Sequence, residues 1–180
     1  MSAANARLRY SATAQILHWA TTILVVAAFV YGPGGSEQRV YSVAKDFDRQ
    51  IHETLGVTVL VTTLIRLAWR AYKGVPPDPP MPTWAKVSSK IVQATLYALL
   101  LLLPLTAITG AWLEGHPLTL LGSVRMGPWL AEAHSVGSSI ATIHTWLGDT
   151  ILWIAGIHAA AGLYHHFGLR DGVLRSMLPF

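Results

Sequence analysis

The sequence predicts an all-α fold, an integral membrane four-helix bundle. Of its 180 residues, 52% are hydrophobic and only 12% are charged, whereas water-soluble domains carry about 25% charged residues. Four segments are also apolar over the ~20 residues that a helix needs to cross the hydrocarbon core of a bilayer. We place these helices near residues 14–31, 50–71, 91–113 and 139–164, in a single domain over residues 1–180.

The connections between these segments agree with separate helices. Residues 73–83 are too rich in proline for a helix and predict a stiff, extended link. Residues 114–138 are rich in glycine and polar residues, and we expect a loop with a short interfacial segment around Trp129. Pro104 lies inside the third segment, where the missing backbone donor predicts a kink.

The charges favour a membrane topology over nucleic-acid binding. The formal net charge is +4, but the basic residues cluster at helix ends, where lipid headgroups and topology explain them. On the side of the two termini they are Arg7, Arg9, Arg66, Arg70, Lys73, Lys86, Lys90, Arg170 and Arg175; the other two loops hold only Arg39, Lys45, Arg49 and Arg125. Both termini are therefore predicted to be cytoplasmic.

Four histidines lie within or at the ends of the apolar segments. An ionisable ring inside a membrane is costly and normally faces the protein interior for a functional reason. In the predicted topology, His52 and His144 lie at outer depth, and His18 and His158 lie at inner depth. We call the first two the outer pair and the other two the inner pair.

Two ligands at each of two depths predict two haems, each with two axial histidines. His144 and His158 are 14 residues apart, close to four helical turns, so they share one face and are separated by roughly 21 Å. A zinc site would need about four ligands in one place. The absence of cysteine excludes iron–sulfur ligation, disulfides and covalent haem attachment through C-x-x-C-H.

Residues near the histidines on the same helix faces suggest a surround for a macrocycle. Gly56, Gly148 and Gly162 each follow a histidine by four residues, which places them beside it. They indicate either clearance for a flat macrocycle or close helix packing. Arg66 lies 14 residues after His52, where it would pair with the propionates of the inner haem or extend to the cytoplasmic surface.

The remaining histidines are less informative. His116 and His134 lie in the outer loop, where solvated side chains are the expectation. His165 and His166 end the fourth segment on the inner side, where a protonated ring would suit a helix C-terminus. Alternatively, His165 and His166 would assist proton uptake by a quinone near the inner haem.

Five motifs spread over nearly the whole chain resemble the bacterial-type cytochrome b561 family of small four-helix di-haem membrane proteins. The motifs are R-Y-S-x-x-x-Q-I-L-H-W at residues 9–19, I-H-E-x-L-G around His52, L-Y-x-x-L-L-x-L-P-L at 96–105, and H-x-W-L-G and G-I-H-A-A-A-G-L-x-H-H in the fourth segment. The resemblance implies haem b ligation by His18, His52, His144 and His158. It also implies electron exchange with ubiquinone in the bacterial inner membrane.

One kind of family member passes electrons from superoxide to ubiquinone, and two features of this chain depart from that pattern. Gln93 lies one turn before Tyr97, where some relatives have a histidine. The outer side is acidic, so it would steer an anion poorly; its acidic residues are Glu37, Asp46, Asp48, Glu53, Glu114, Glu132 and Asp149. We expect Glu53 and Asp149 to lie toward the outer boundary and to be solvated.

Two other functions remain open from the residues alone. In the first, the chain is the haem-bearing membrane anchor of a larger dehydrogenase or hydrogenase and receives electrons from a soluble redox subunit. In the second, the histidines line a conduit for protons or metal ions without redox chemistry. Depth-paired histidines on facing helices favour electron transfer over the conduit, and co-purification of a partner would favour the anchor.

Overall fold

The computed structural model describes residues 9–77, 80–122 and 124–178 and has the expected all-α architecture. Its α-helices are α1 (Ala12–Tyr31), α2 (Glu37–Val40), α3 (Asp46–Lys73), α4 (Thr83–Leu113), α5 (His134–Tyr164) and α6 (Val173–Ser176). A short 3-10 turn precedes α3, and one π-helical turn, His165–Leu169, follows α5. Within the described residues, α1, α3, α4 and α5 are long and apolar enough to cross a membrane.

The long helices begin earlier than the apolar segments indicated. Helix α3 begins at Asp46 with Asp48 also in its first turn, where acidic side chains favour the positive end of the helix dipole. Helices α4 and α5 begin at Thr83 and His134. Their first turns are polar, so hydropathy detects the part of each helix that lies in hydrocarbon rather than the whole helix.

The four long helices pack as two antiparallel pairs. Helix α1 packs chiefly on α3, α4 packs chiefly on α5, and contacts between α3 and α4 join the pairs. Helices α4 and α5 approach each other closely at two glycines. A Cβ atom on Gly137 would lie 3.1 Å from the Gly110 carbonyl oxygen and 2.8 Å from Cγ of Glu114.

The connection between α4 and α5 contains a small β-hairpin, which hydropathy did not predict. Strand β1 (Leu118–Leu120) pairs antiparallel with β2 (Val124–Met126), with Leu118 opposite Met126. Trp129 lies after the hairpin and packs on Trp112, with 4.8 Å between ring centroids. The ordered element of this loop is therefore the hairpin rather than a segment at Trp129.

Both ends of the described chain meet at one end of the bundle. The Gln15 side-chain amide donates to the Ser176 carbonyl at 3.0 Å, and the Trp19 indole donates to the Met177 carbonyl at 2.9 Å. The backbone N–H of Tyr10 also donates to Ser176 at 3.2 Å. Residues 9–11 and α6 therefore lie on the same side of the helices.

Candidate functional site

The outer pair brings together α3 and α5. The ring centroids of His52 and His144 are 6.0 Å apart. Nδ1 of His52 donates to the Ala28 carbonyl at 2.7 Å, and Nδ1 of His144 donates to the Leu103 carbonyl at 2.9 Å. Because a carbonyl only accepts hydrogen bonds, each Nδ1 carries the proton and each Nε2 keeps its lone pair.

The inner pair brings together α1 and α5 at the end of the bundle where the first and last described residues meet. The ring centroids of His18 and His158 are 6.4 Å apart. A guanidinium nitrogen of Arg66 lies 3.2 Å from Nδ1 of His18. Because guanidinium only donates, Nδ1 of His18 accepts in this contact.

The spacing within each pair would let its two histidines hold one metal ion. A bond between a metal and an imidazole nitrogen is about 2 Å long, so two rings that hold one ion have centres up to roughly 6 Å apart. No group of three or more His, Cys, Asp or Glu side chains suited to a metal occurs among the described residues. Two ligands per site suit a metal that takes its other bonds from a macrocycle.

The glycines on the two helices of the outer pair stand beside open space rather than in close packing. A Cβ atom on Gly56 or Gly148 would meet no other atom within 4 Å, and one on Gly162 would meet only Leu174 at 3.8 Å. This differs from the tight contact at Gly110 and Gly137. Close helix packing therefore does not account for Gly56 and Gly148.

The space around the outer pair is lined almost entirely by apolar side chains. Gly56 and Gly148 line the same pocket as both histidines, together with Val25, Phe29, Val59, Leu100, Leu103, Pro104, Ile151 and Leu152. Such a lining excludes water and lowers the local dielectric constant. Both effects change the reduction potential of a bound redox group.

Arg66 turns into the bundle instead of extending to the surface. Its guanidinium lies 5.3 Å from the centroid of the Tyr97 ring, in addition to the contact with His18. It makes no salt bridge with a carboxylate in the described parts of the chain. A half-buried cation in this position fits an anionic group near the inner pair. Tyr97 belongs to the motif at residues 96–105, but nothing in its spacing from Arg66 predicts this contact.

The hairpin covers the outer end of the pocket through two bonds to α3. The carboxylate of Glu53 accepts from the backbone N–H of Thr119, and the Thr54 hydroxyl accepts from the N–H of Leu121 at 2.9 Å. Glu53 also pairs with Arg49 at 2.8 Å. The expectation that Glu53 is solvated is therefore wrong, since the loop folds back over it.

A second cluster outside the membrane spans involves a histidine that was expected to be solvated. His116 stacks on Tyr41, with 3.5 Å between centroids, and its Nε2 lies 2.7 Å from Glu37. Burial, and after it the carboxylate of Glu53, raises the pKa of Tyr41 well above its ordinary value. Residues 41 and 116 are too far apart in sequence for any spacing rule to relate them. His134 is exposed and lies 3.8 Å from Glu132.

The two histidines that end α5 have different surroundings. His165 is hydrogen-bonded through Nδ1 to the carboxylate of Asp171. Burial would raise the pKa of Asp171, but the bonds from His165 and from the N–H of Val173 outweigh it and hold that pKa below its usual value. Among the described aromatic rings, His166 contacts the edge of Phe167, with 4.7 Å between ring centroids.

Comparison with known proteins places the chain in a family. Residues 9–180 match the family described as prokaryotic cytochrome b561. The chain is 26% identical to cytochrome b561 homolog 2 of Escherichia coli (strain K12), over 99% of this chain and 95% of that protein. It is 29% identical to cytochrome b562 of Cereibacter sphaeroides, over 90% of each chain. It is 25% identical to the probable superoxide oxidase CybB of Yersinia pestis, over 95% of this chain and 96% of that protein. The chain therefore belongs to the prokaryotic cytochrome b561 family, whose members are multi-pass membrane cytochromes that carry haem b and transfer electrons.

Proposed function

We propose that this protein carries electrons across the bilayer between two haem b groups. His52 and His144 would hold the outer haem, and His18 and His158 the inner one. The observation that carries this proposal is the pair of centroid distances, 6.0 Å and 6.4 Å, at positions on α5 that are 14 residues apart. That separation corresponds to roughly 21 Å along the helix.

The protein residues would prepare each site for its group. The Ala28 and Leu103 carbonyls hold the outer rings in the tautomer that presents Nε2. Apolar side chains exclude water, and Gly56 and Gly148 leave clearance beside the rings. Haem b, when bound, supplies a one-electron acceptor in a low-dielectric setting.

The inner site differs in its hydrogen bonding. Arg66 now approaches Nδ1 of His18, so ligation through Nε2 would require the arginine to turn toward another partner. We propose the haem propionates as that partner. Gly162, with only Leu174 close to it, would give the clearance beside His158.

We propose ubiquinone as the redox partner at the end of the bundle that holds the termini. Quinone reduction takes up protons, and the His165–Asp171 pair offers a histidine that a carboxylate orients. His166 lies on the same turn and would be a second proton donor. Support for ubiquinone comes from the sequence resemblance and from this pair together.

Superoxide is the proposed donor at the opposite, periplasmic side, where it would give one electron to the outer haem and leave as dioxygen. The similarity to the probable superoxide oxidase of Yersinia pestis supports it. The outer surface remains acidic, and Asp46 and Asp48 are held there beside Arg49 and Lys45. The alternative donor is a soluble redox subunit that docks at this face.

We propose that the protein lies in the bacterial inner membrane with both termini in the cytoplasm. The contacts of residues 10, 15 and 19 with α6 and the residues after it support a common side for the termini. The excess of Lys and Arg on that side supports the cytoplasmic assignment. Arg7, which contributes to this excess, lies outside the described residues.

Spectroscopy of ligand variants tests the proposal. Reduced-minus-oxidised spectra of the purified protein should show b-type absorbance, and haem content should be two per chain. His52→Ala or His144→Ala should lose the outer haem and keep the inner one, with His18→Ala and His158→Ala doing the reverse. His134→Ala is the matched control, because this ring is exposed. Retention of both haems in all four ligand variants would contradict the assignment.

The redox partners need a separate measurement. In stopped-flow mixing, superoxide should reduce the haems of the oxidised protein. Ubiquinone should oxidise the haems of the reduced protein. If neither reagent reacts while a second polypeptide co-purifies at fixed stoichiometry, the membrane-anchor function replaces the proposed one.

A further inference from the structure

Asp149 is an ionisable residue at the middle of a membrane-spanning helix. It is the central residue of the 31-residue helix α5 and lies between His144 and His158. Its side chain is exposed on the outside of the bundle, and no described residue gives it a hydrogen bond or salt bridge. Its place at the centre of the helix is deeper than the outer boundary expected from the sequence. A carboxylate at this depth against lipid tails is costly and normally indicates a polar partner.

Two indole donors lie on the same face of α5 as this carboxylate. Trp146 precedes Asp149 by three residues and Trp153 follows it by four, with exposures of 71% and 77%. Neither indole N–H has an acceptor among the described residues. Tryptophan in membrane proteins is usual at the interfaces, so two donors near the centre of the bilayer need an acceptor.

Nearby hydroxyls on α5 do not satisfy these groups in the described parts of the chain. Thr142 donates to the Ser138 carbonyl at 2.9 Å, and Thr150 donates to the Trp146 carbonyl at 2.8 Å, so neither proton is free for Asp149, and neither oxygen accepts from an indole. Among the described residues, the polar groups without a partner on this face are therefore one carboxylate and two indoles, all within two turns of helix.

We infer that this face of α5 is the interface with a second copy of the chain. Two copies inserted with the same topology are related by an axis along the membrane normal, so equal depths meet. Its acceptor, Asp149, has an indole donor about one helical turn away on either side, which makes the face self-complementary: indole N–H groups of each copy bond to Asp149 of the other. A lipid tail offers no such bonds.

The residues seven positions from Asp149 on either side permit close approach of two helices. Thr142 and Gly156 are small and exposed, and a Cβ atom on Gly156 would meet nothing within 4 Å. Small residues at this spacing let transmembrane helices pack closely. The interface depends on the membrane topology and on α5, and not on which haem each histidine holds.

Cross-linking in membranes tests the inference, and the absence of cysteine from the chain makes single-cysteine variants unambiguous. Thr142→Cys and Gly156→Cys should give covalent dimers with a short bis-maleimide. Ile23→Cys is the matched control, since Ile23 is 67% exposed near mid-membrane on α1, and it should stay monomeric. Monomers at positions 142 and 156, or cross-links to a different polypeptide instead, would overturn the assignment.

A second measurement isolates the role of the carboxylate. Asp149→Leu should weaken dimerisation in lipid by on the order of threefold to twentyfold, the usual effect of an interhelical hydrogen bond. Asp149→Asn keeps an acceptor and should dimerise like the wild type, as should Thr150→Val. Single-molecule photobleaching at graded protein-to-lipid ratios gives the equilibrium. Equal dimerisation by Asp149→Leu and wild type would overturn the proposed bond. Haem absorbance in the same samples reports haem binding, on which the proposed function depends, separately from dimerisation.

Discussion

At the scale of single residues, hydrogen bonds at Nδ1 decide what each histidine can do. His52 and His144 donate to main-chain carbonyls and so present Nε2 to the pocket. A carbonyl is fixed by its helix, so these bonds also fix the ring orientation. His18 instead has the guanidinium of Arg66 at Nδ1. The reduction potential of a group held at the inner site would therefore depend on this nearby positive charge.

The charge of Arg66 should set the potential of the proposed inner haem. Adding an electron is easier near a cation, so Arg66→Met should lower the inner midpoint potential by roughly 30–60 mV, about threefold to tenfold in the equilibrium constant. Arg66→Lys keeps the positive charge, so its inner midpoint potential should stay close to the wild-type value. Spectroelectrochemical titration resolves the two haems, and a fall in the outer potential alone would contradict the role.

Glu114 provides a pH-dependent prediction outside the membrane spans. Burial, and after it the nearby Glu37 carboxylate, raises the pKa of Glu114. A carboxyl whose folded pKa exceeds its unfolded pKa binds its proton more tightly in the folded state, so stability falls as pH rises through that window. Glu114→Gln should therefore raise the thermal midpoint at neutral pH and show no gain below the usual carboxyl pKa. A gain that persists unchanged at low pH would contradict this cause.

At the scale of elements, glycines serve two opposite purposes in the same bundle. Gly110 and Gly137 allow α4 and α5 to touch, whereas Gly56 and Gly148 leave space beside the outer pair. The pattern His-x-x-x-Gly predicted the second set from sequence. The pattern could not show whether these glycines leave space beside a histidine or pack against a neighbouring helix, because the answer depends on where the facing helix lies.

The contact at Gly137 gives a stability prediction. A methyl group there would overlap the Gly110 carbonyl and Cγ of Glu114, so Gly137→Ala should destabilise the bundle by about 1–3 kcal/mol. Ser139→Ala is the control, because this exposed side chain lies on the same helix and donates to the Ser135 carbonyl of that helix. Circular dichroism during heating in detergent compares them; similar midpoints for both variants would contradict a tight contact.

At the scale of the whole molecule, both ends of the described chain are held at one end of the bundle. The bond of Gln15 to the last residue of α6 and the bond of Trp19 to the residue after it tie the first helix to the last. Four spans require the termini to share a side of the membrane. The Lys and Arg distribution then predicts which side this is.

Labelling from one side of the membrane tests the proposed orientation. Ser36→Cys lies in the connection after α1, and Arg175→Cys lies in α6; both positions are exposed. An impermeant maleimide added to spheroplasts should label position 36 directly and position 175 only after permeabilisation. The reverse pattern would place the termini in the periplasm.

The sequence by itself determined the four helices, which histidines pair and the family. These follow from hydropathy and from positions along a helix, which are local properties. The predicted helices nevertheless began several residues after the observed ones, because the polar first turns extend beyond the hydrocarbon and hydropathy does not detect them.

Only the tertiary structure decided what each of these residues contacts. The hairpin that buries Glu53 and the stacking of Tyr41 on His116 join residues more than sixty positions apart. The outward direction of Asp149 likewise depends on which face of α5 the other helices cover. Such contacts arise from packing between distant segments, and no periodicity of the chain encodes them.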